Sequence, residues 1–320
     1  MKAMKFPIDA VITWVDGNDP RQAAKLKAWG DNRSFSEEDV AGKTRFASIG
    51  EIQWCVRSLR KFAPFIRTIF IVTDGQDPHI PEGNIPVRII DHKEIFRGYE
   101  DKLPVFNSIA IESMTWRIPG LSEHYLELND DFMLGSPVTP EDFFLQDGTP
   151  VCYAAFRSVL LTRLTRPLKR HKNGTRRITF KGTMLNGAAH AGEKLRFLKL
   201  DHTPRPLLRS FFETWYGAHP DKLDINISYR FRDIRQFSSE EVQYITLLRQ
   251  KQLVVRPTKG NLFYLEPKPK KDYIKRKMER YGSRRWKFCC FNSLDKASEG
   301  DAATVISWIE KILAPEADSR

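Results

Sequence analysis

Three short apolar runs, each followed at once by a polar turn, constrain the fold of this chain most strongly. They cover residues 6–14, 68–73 and 125–128. Runs of this length that are rich in β-branched residues or alternate in polarity, and that end in turn-forming residues, are typical of β-strands. The nearly continuous apolar run 68–73 indicates a strand buried on both faces. The N-terminal half is therefore expected to contain a parallel sheet.

Apolar residues at helical spacing occur between these strands. The clearest example spans residues 49–62 and ends before Pro64. We predict helices at residues 20–30, 49–62 and 107–117, and a further strand at 87–90. The resulting alternation of strands and helices predicts an α/β fold with an open, mostly parallel, Rossmann-like sheet flanked by helices.

The remainder of the chain is interpreted as a helical and loop-rich part of the same domain, so that residues 1–320 form one unit. Residues 157–196 are basic and weakly periodic. This favours an insertion or a lid between a core of residues 1–150 and a C-terminal part of residues 197–320. In that part we predict helices at residues 203–216, 239–250 and 301–313.

Polar side chains follow three of the predicted strands, at residues 16–19, 73–76 and 129–131. The carboxyl ends of parallel strands meet at one edge of a sheet, where α/β folds bind ligands. Adjacent carboxylates at such a strand end, as in Asn129-Asp130-Asp131, commonly hold a hard divalent cation. A solvated turn is the alternative for these three residues.

Basic residues give the chain a formal net charge of +12 and concentrate at residues 157–177 and 268–287. Such segments attract nucleic acid, anionic lipid, nucleotide phosphates or acidic glycans, and solvated loops are the alternative. We expect both segments to lie outside the core, because unpaired cations are costly to bury. No recognised nucleic-acid-binding motif accompanies them, so nucleic acid is not an expected partner.

Cysteine usage and hydropathy bear on the cellular compartment. Four cysteines, at positions 55, 152, 289 and 290, fit neither a disulfide framework nor a zinc site. A reducing environment is the simpler interpretation. No signal peptide is visible, and no apolar run reaches the roughly 18 residues of a membrane span. We expect a cytoplasmic protein, or one held peripherally at the inner face of the cell membrane.

Four separated blocks, in order along the chain, resemble one family. The first is IDAVITWVDGNDP; the second begins TRFASIGEIQWCVRSLRKFAPFIRTIFIVTDGQDP and continues through LPVFNSIAIE and LELNDDFMLG. The third runs from DHTP, at residues 201–204, past Arg232, and the fourth is KFCCFN, before the tail helix. Together they resemble the Stealth family of sugar-1-phosphate transferases, which includes bacterial capsular-polysaccharide phosphotransferases. The chain departs from the family at Ser48 and Ser293, where aspartate is usual.

The resemblance implies a reaction and a pair of substrates. A UDP-sugar, usually a UDP-N-acetylhexosamine, gives its hexose-1-phosphate to a glycan hydroxyl, forming a phosphodiester and releasing UMP. Residues 1–150 would bind the nucleotide sugar, and the product would belong to a capsular or surface polysaccharide. Anionic membrane or capsule-assembly proteins are further expected partners.

The resemblance also implies four catalytic residues. His202 is the expected general base toward the acceptor hydroxyl, since the pKa of histidine lies near working pH. Glu112 is the rival base, or a ligand of sugar hydroxyls. Asp131 is the expected metal ligand, and Arg232 a clamp on phosphate.

Mg²⁺ or Mn²⁺ is the expected cofactor, because a hard cation binds carboxylate and phosphate oxygens together. Its predicted ligands are Asp131, Asp130 and Asn129. If the strand pleat continues through this sequence, the two aspartates point to opposite sides and only one can bind. The predicted donor-binding residues are Trp14, Asp16, Gly17, Asn18, Arg45, Thr73, Gln76 and Asn107. The rival activity is that of a metal-dependent glycosyltransferase, which releases UDP.

Overall fold

The computed structural model describes residues 4–29, 49–165 and 179–315. The strands are β1 (Ile8–Thr13), β2 (Ile66–Thr73), β3 (Val87–Asp91), β4 (His124–Asn129), β5 (Phe132–Leu134), β6 (Val151–Ser158), β7 (Arg196–Leu200), β8 (Arg205–Leu208), β9 (Val254–Arg256), β10 (Leu262–Leu265) and β11 (Phe288–Phe291). The helices are α1 (Pro20–Trp29), α2 (Glu51–Phe62), α3 (His92–Ile95), α4 (Ser108–Glu112), α5 (Val159–Thr165), α6 (Phe180–His190), α7 (Arg209–Ala218), α8 (Pro220–Ile227), α9 (Ser239–Arg249), α10 (Tyr273–Tyr281) and α11 (Glu299–Leu313).

The central sheet confirms the predicted α/β architecture. Its strand order is β3-β2-β1-β4-β8, in which the first four strands are parallel and β8 is antiparallel to β4. Two further sheets have the orders β10-β11-β5 and β7-β6-β9. Three of the four parallel strands, β1, β2 and β4, correspond to the three apolar runs, and β3 corresponds to the further strand predicted at residues 87–90.

Alternating side chains of β1 enter two separate hydrophobic clusters. Ile8, Ala10 and Ile12 pack on one face with α2, α11 and the β10-β11-β5 sheet, whereas Val11 packs on the other with α6, α7 and α9. Successive residues of a strand point to opposite faces. A strand covered on both sides must therefore be apolar at nearly every position, which explains the nearly continuous apolar runs of β1 and β2; the charged exceptions Asp9 and Arg67 pair with each other.

Two predicted helices differ from the observed elements. The helix predicted over residues 203–216 is wrong at its start, because β8 occupies Arg205–Leu208 and α7 begins only at Arg209. Pro206 lacks a backbone N–H, so it is unfavourable inside a helix but acceptable in an edge strand. The helix predicted over residues 107–117 is shorter, since α4 ends at Glu112 and a 3₁₀ turn follows at Thr115–Arg117.

The two basic segments are partly built into the core, which corrects our expectation that they lie outside it. In the first segment, residues 157–177, helix α5 buries Val159, while residues 166–178 lie outside the described ranges. Helix α6, which follows in the stretch interpreted as an insertion or lid, buries Met184 and Leu185. In the second segment, α10 buries Ile274 and Met278. Their apolar residues alternate with cations at helical spacing, so one helix face packs while the other remains in solvent.

No helix in the described ranges is long and apolar enough to cross a lipid bilayer. Helix α11, with 15 residues, would extend only about 22 Å, against a hydrocarbon thickness of about 30 Å. Its apolar residues Val305, Ile309 and Leu313 are already buried in the core.

Candidate active site

A cavity of about 180 Å³ lies at the carboxyl ends of β1 and β4. These strands pair in register, with Thr13 opposite Asn129, so the residues that follow them emerge side by side. Helices α3 and α4 and the loop that carries Arg232 close the other walls. The cavity is lined by Thr13, Trp14, Val15, Gln22, Asp74, His92, Val105, Phe106, Asn107, Ser108, Ile111, Asn129, Asp130 and Arg232.

Two smaller cavities share walls with this one. A cavity of about 50 Å³ shares Ser108, Asn129 and Arg232, and adds an ionic wall that contains Glu112. A cleft of about 10 Å³ shares Asp130 and also contacts Asp131. The Asn129-Asp130-Asp131 sequence thus lies where the three spaces meet, at the sheet edge that the strand pattern predicts.

The two aspartates form a tight turn between β4 and β5. Strand β4 ends at Asn129, so the pleat does not continue and both carboxylates face the same cleft. Burial, and then the charge of Asp131, raises the pKa of Asp130 well above its usual range. Burial raises the pKa of Asp131 to about 6, although the Cys290 thiol donates to its Oδ2 at 3.4 Å. Two such carboxylates favour a cation that would replace the lost solvation.

The donor atoms present fit a hard divalent cation. Asp131 Oδ1 and Asn129 Oδ1 are buried and have no hydrogen-bond partner in the described part of the chain. The same part contains no group of three or more His, Cys, Asp or Glu side chains arranged around a metal ion. Mg²⁺ commonly needs only one or two carboxylates, because substrate phosphates and water complete its shell. Asp130 and Asp131 therefore suffice for that kind of site.

A buried ionic network lies beside the aspartate turn. Arg205, on β8, contacts Glu240 of α9 at 2.5 Å and lies 3.9 Å from Glu127, its partner across the strands. Glu112 ends α4 in the same cavity. Burial raises the pKa of Glu112 to about 7, helped by the charge of Glu240 and opposed by those of Arg205 and Arg232.

Arg232 is the cation closest to the centre of the site. Its Nη2 donates to Ser108 Oγ at 2.7 Å, and its side chain lines both of the larger cavities. Burial lowers its pKa, opposed by the charge of Glu112. An arginine stays protonated under such a shift, because its ordinary pKa is above 12. It can therefore present a planar fork of donors to a phosphate.

His202 lies among aromatic rings on the far side of Arg205. Its ring centroid is 4.8 Å from that of Tyr264, 5.7 Å from that of Phe180 and 6.0 Å from that of Phe132. Burial, and then the charge of Arg205, lowers the pKa of His202 to about 4. The imidazole is consequently neutral near pH 7, and it is a weaker base than an ordinary histidine.

The predicted residues of the β1 and β2 loops mostly bind one another. Gln76 Oε1 accepts from the backbone N–H of Asp16 at 2.9 Å and from Thr73 Oγ1 at 3.3 Å, while Gln76 Nε2 donates to the carbonyl of Asp16 at 2.8 Å. Gly17 and Asn18 lie in the turn that this bridge holds. The 180 Å³ cavity is therefore lined by none of the five predicted residues of these loops: Asp16, Gly17, Asn18, Thr73 and Gln76. Arg45, also predicted to bind donor, lies outside the described residues.

Trp14 and Asn107 are the predicted donor-binding residues that reach the cavity wall. Asn107 caps α4 by accepting from the N–H of Ile109 at 3.1 Å, and its Nδ2 donates to Gln236 Oε1 at 2.7 Å. It thereby ties the helix of Glu112 to the loop that carries Arg232.

Sequence reasoning missed four residues that shape these cavities. Arg205 stands three positions after His202 in the DHTPRP block, and this proximity was an available signal. Glu240 resembles every other acidic residue of its helix, so nothing in the sequence distinguished it. Gln22 and His92 were not distinguishable either, because only the folded chain brings them to one wall.

Comparison with known proteins identifies similar chains. Residues 6–34 match the model described as Stealth protein CR1, conserved region 1, and residues 45–152 match Stealth protein CR2, conserved region 2. An exopolysaccharide phosphotransferase of Streptomyces coelicolor is 47% identical over 150 residues, covering 45% of this chain and 26% of that protein. The receptor polysaccharide phosphotransferase WefC of Streptococcus oralis is 30% identical over 279 residues, covering 81% and 83% of the two chains.

The chain is much shorter than several of its relatives. It spans 15–39% of the length of four Streptomyces coelicolor relatives. A crystal structure of the galactosyltransferase LgtC with donor and acceptor sugar analogues is 9% identical, covers 96% of this chain and 98% of that one, and has a TM-score of 0.39. A TM-score of that size adds nothing to the fold described above.

Proposed function

The chain belongs to the Stealth family, and we propose that it transfers hexose-1-phosphate from a UDP-N-acetylhexosamine to a glycan hydroxyl. The transfer forms a phosphodiester and releases UMP. Relatives named as exopolysaccharide, capsular and receptor polysaccharide phosphotransferases support this reaction class. The product would be a capsular or surface polysaccharide.

One observation carries the proposal: the Asn129-Asp130-Asp131 turn lies where three cavities adjoin, and Arg232 lines the two larger ones. Phosphoryl transfer depends mainly on positioning and on neutralising the charge of the phosphates. Arg232 supplies a fixed cation with a bidentate donor fork. The acidic turn at Asn129-Asp130-Asp131 supplies ligands that could hold a second cation.

Asp130 and Asp131, with Asn129 beside them, are the residues that would hold Mg²⁺ or Mn²⁺. When bound, the ion would neutralise the diphosphate and stabilise the departing UMP. In their ionised form the carboxylates would repel a diphosphate in this buried corner, and a bound cation would offset that repulsion.

The electrostatics of the site support Glu112 as the general base rather than His202, our first candidate from sequence. A base acts best when its pKa lies near the working pH. The pKa of Glu112, about 7, meets that condition, whereas that of His202 is about 4. His202 also lines none of the three cavities described above.

The test is identification of the released nucleotide. The protein is incubated with UDP-N-acetylhexosamines, Mg²⁺ and candidate glycan acceptors, and nucleotides are separated by chromatography. We expect UMP, with a phosphodiester signal in the phosphorus NMR spectrum of the product. UDP together with a phosphate-free glycoside would instead establish the rival glycosyltransferase reaction.

We further propose a peripheral contact with anionic membrane. Helix α5 exposes three leucines by about two thirds or more of their surface, Leu160, Leu161 and Leu164. Arg157 and Arg163 lie on or next to the same helix. Apolar residues flanked by cations suit the boundary between acyl chains and anionic headgroups. Such a contact would bring the site to glycans built at a membrane surface.

A further inference from the structure

One end of the 180 Å³ cavity contains several polar atoms that lack a partner. Trp14 Nε1, Gln22 Oε1 and both ring nitrogens of His92 are buried without a hydrogen-bond partner among the described residues. All three side chains are more than nine-tenths buried and line the cavity. A buried polar group without a partner is costly, so several at one cavity wall indicate a polar ligand.

These residues belong to the part of the cavity wall that is not shared with the two neighbouring spaces, which we call its unshared end. The cavity shares Ser108, Asn129, Asp130 and Arg232 with its two neighbours, and this defines the reacting end. Trp14, Gln22 and His92 line neither neighbouring space. A donor whose phosphates lie between Asp130 and Arg232 would extend its nucleoside toward them.

The unpartnered atoms form a specific set of donors and acceptors. Trp14 Nε1–H can only donate, and Gln22 Oε1 can only accept. Burial lowers the pKa of His92 to about 4, so its ring is neutral and offers one N–H and one acceptor nitrogen. The unshared end also includes Val105 and Phe106, which suit the faces of a flat ring, and the carboxylate of Asp74, which accepts from Lys25 at 2.8 Å.

Resting on the proposed function, we propose that this end binds the donor's nucleobase and that Gln22, His92 and Trp14 select uracil. Uracil in a nucleotide offers one ring donor, N3–H, between two carbonyl acceptors. Gln22 Oε1 would accept from N3–H, while Trp14 Nε1 and one His92 nitrogen would donate to the two carbonyls. The second His92 nitrogen would accept from a ribose hydroxyl.

The first experiment uses the unaltered protein and needs no turnover. Calorimetry measures the affinities for UMP, N3-methyl-UMP, CMP, AMP and ribose 5-phosphate. We expect UMP to bind most tightly and N3-methylation to weaken binding about five- to a hundredfold, the effect of losing one buried hydrogen-bonding partner. Equal affinities for UMP, N3-methyl-UMP and AMP would overturn base selection by these residues.

The second experiment removes the polar atoms while keeping the volume. Gln22→Leu and His92→Phe should each weaken UMP binding about five- to a hundredfold. Gln22→Leu should leave ribose 5-phosphate binding unchanged, whereas His92→Phe should also weaken it, because one His92 nitrogen accepts from the ribose. His190→Phe is the matched control, since His190 packs against Phe237 and does not line the cavity. An unchanged UMP affinity in both folded variants would show that ordered water satisfies these atoms, and would overturn the proposal.

Failure of this inference is distinguishable from failure of the proposed function. If the protein binds UMP selectively but releases UDP in the transfer assay, the base pocket is supported and the phosphotransferase reaction is refuted. If it releases UMP but binds N3-methyl-UMP as tightly as UMP, the phosphotransferase reaction is supported and the base pocket is refuted. Should either variant fail to fold, the N3-methyl-UMP measurement on the unaltered protein decides alone.

Discussion

Replacing Glu112 with glutamine is expected to stabilise the protein at high pH and to leave its stability unchanged at low pH. The pKa of this carboxyl rises from an ordinary value of 4.5 to about 7 in the fold, through burial and the charge of Glu240. A raised pKa means that the folded state binds the proton more tightly than the unfolded state. Ionisation of Glu112 therefore opposes folding.

The sign and size of the change in stability follow from the difference between the pKa of Glu112 in the folded and in the unfolded state. Below about pH 4.5 the carboxyl is protonated in both states and costs nothing. Between about 4.5 and 7 the stability falls by about 1.4 kcal/mol per pH unit, and above 7 the full penalty of about 3 to 4 kcal/mol is present. Glutamine resembles the protonated form, so Glu112→Gln removes the penalty.

The measurement is urea unfolding of both proteins at pH 4, 6 and 8. The stability difference should be near zero at pH 4 and reach about 3 to 4 kcal/mol at pH 8. Glu82→Gln, at an exposed position, is the control and should change stability little at each pH. A difference that is the same at pH 4 and pH 8 would refute the raised pKa.

The kinetic consequence separates the two candidate bases. If Glu112 is the base, kcat/KM should fall below a pKa near 7, and Glu112→Gln should lose roughly a hundred- to ten-thousandfold in turnover together with that acidic limb. His202→Gln should keep the limb, since the pKa of His202 is about 4. Loss of the limb in the His202 variant alone would make His202 the base.

Three other outcomes are expected. Asp131→Asn should lose about a thousandfold or more in rate and its response to added Mg²⁺ while remaining folded, and full activity in excess chelator would remove the metal from the mechanism. Four exposed lysines are replaced by glutamine together: Lys268, Lys270, Lys271 and Lys275. The variant should bind an anionic glycan acceptor more weakly, with a larger loss at low salt than at high salt and an unchanged Tm. A collapsed Tm with unchanged affinity would make these lysines structural. Leu161→Ser with Leu164→Ser should reduce co-sedimentation with phosphatidylserine vesicles, and equal sedimentation would exclude a role for α5.

The sequence was sufficient to predict the parallel strands, because strands buried on both faces must be apolar at nearly every position. It also predicted the sheet edge where Asn129, Asp130 and Asp131 emerge. It did not predict β8, since that strand exists through pairing with β4, about 80 residues earlier in the chain. Local propensity describes neighbours along the chain, and Pro206 alone was too weak a signal against a helical pattern.

The ionic part of the site was inaccessible to sequence reasoning for the same reason. Arg205 and Glu240 stand 35 positions apart, and only the packing of α9 against β8 brings them to 2.5 Å. The altered pKa values of Glu112 and His202 depend on this packing and on burial. Residue type alone favours the histidine as the base, whereas the environment reverses the order of the two pKa values.

Strand β8 has a consequence for any attempt to divide the chain. Residues 6–152 contain both matched conserved regions and four parallel strands, so they resemble a natural fragment for expression. Cutting there would leave β4 as an exposed edge, with its N–H and C=O groups open to pairing with other chains. It would also leave Glu127 without Arg205, an uncompensated charge at a formerly covered position. We therefore expect that the conserved regions, although recognisable as sequence modules, do not fold on their own and that such a fragment aggregates.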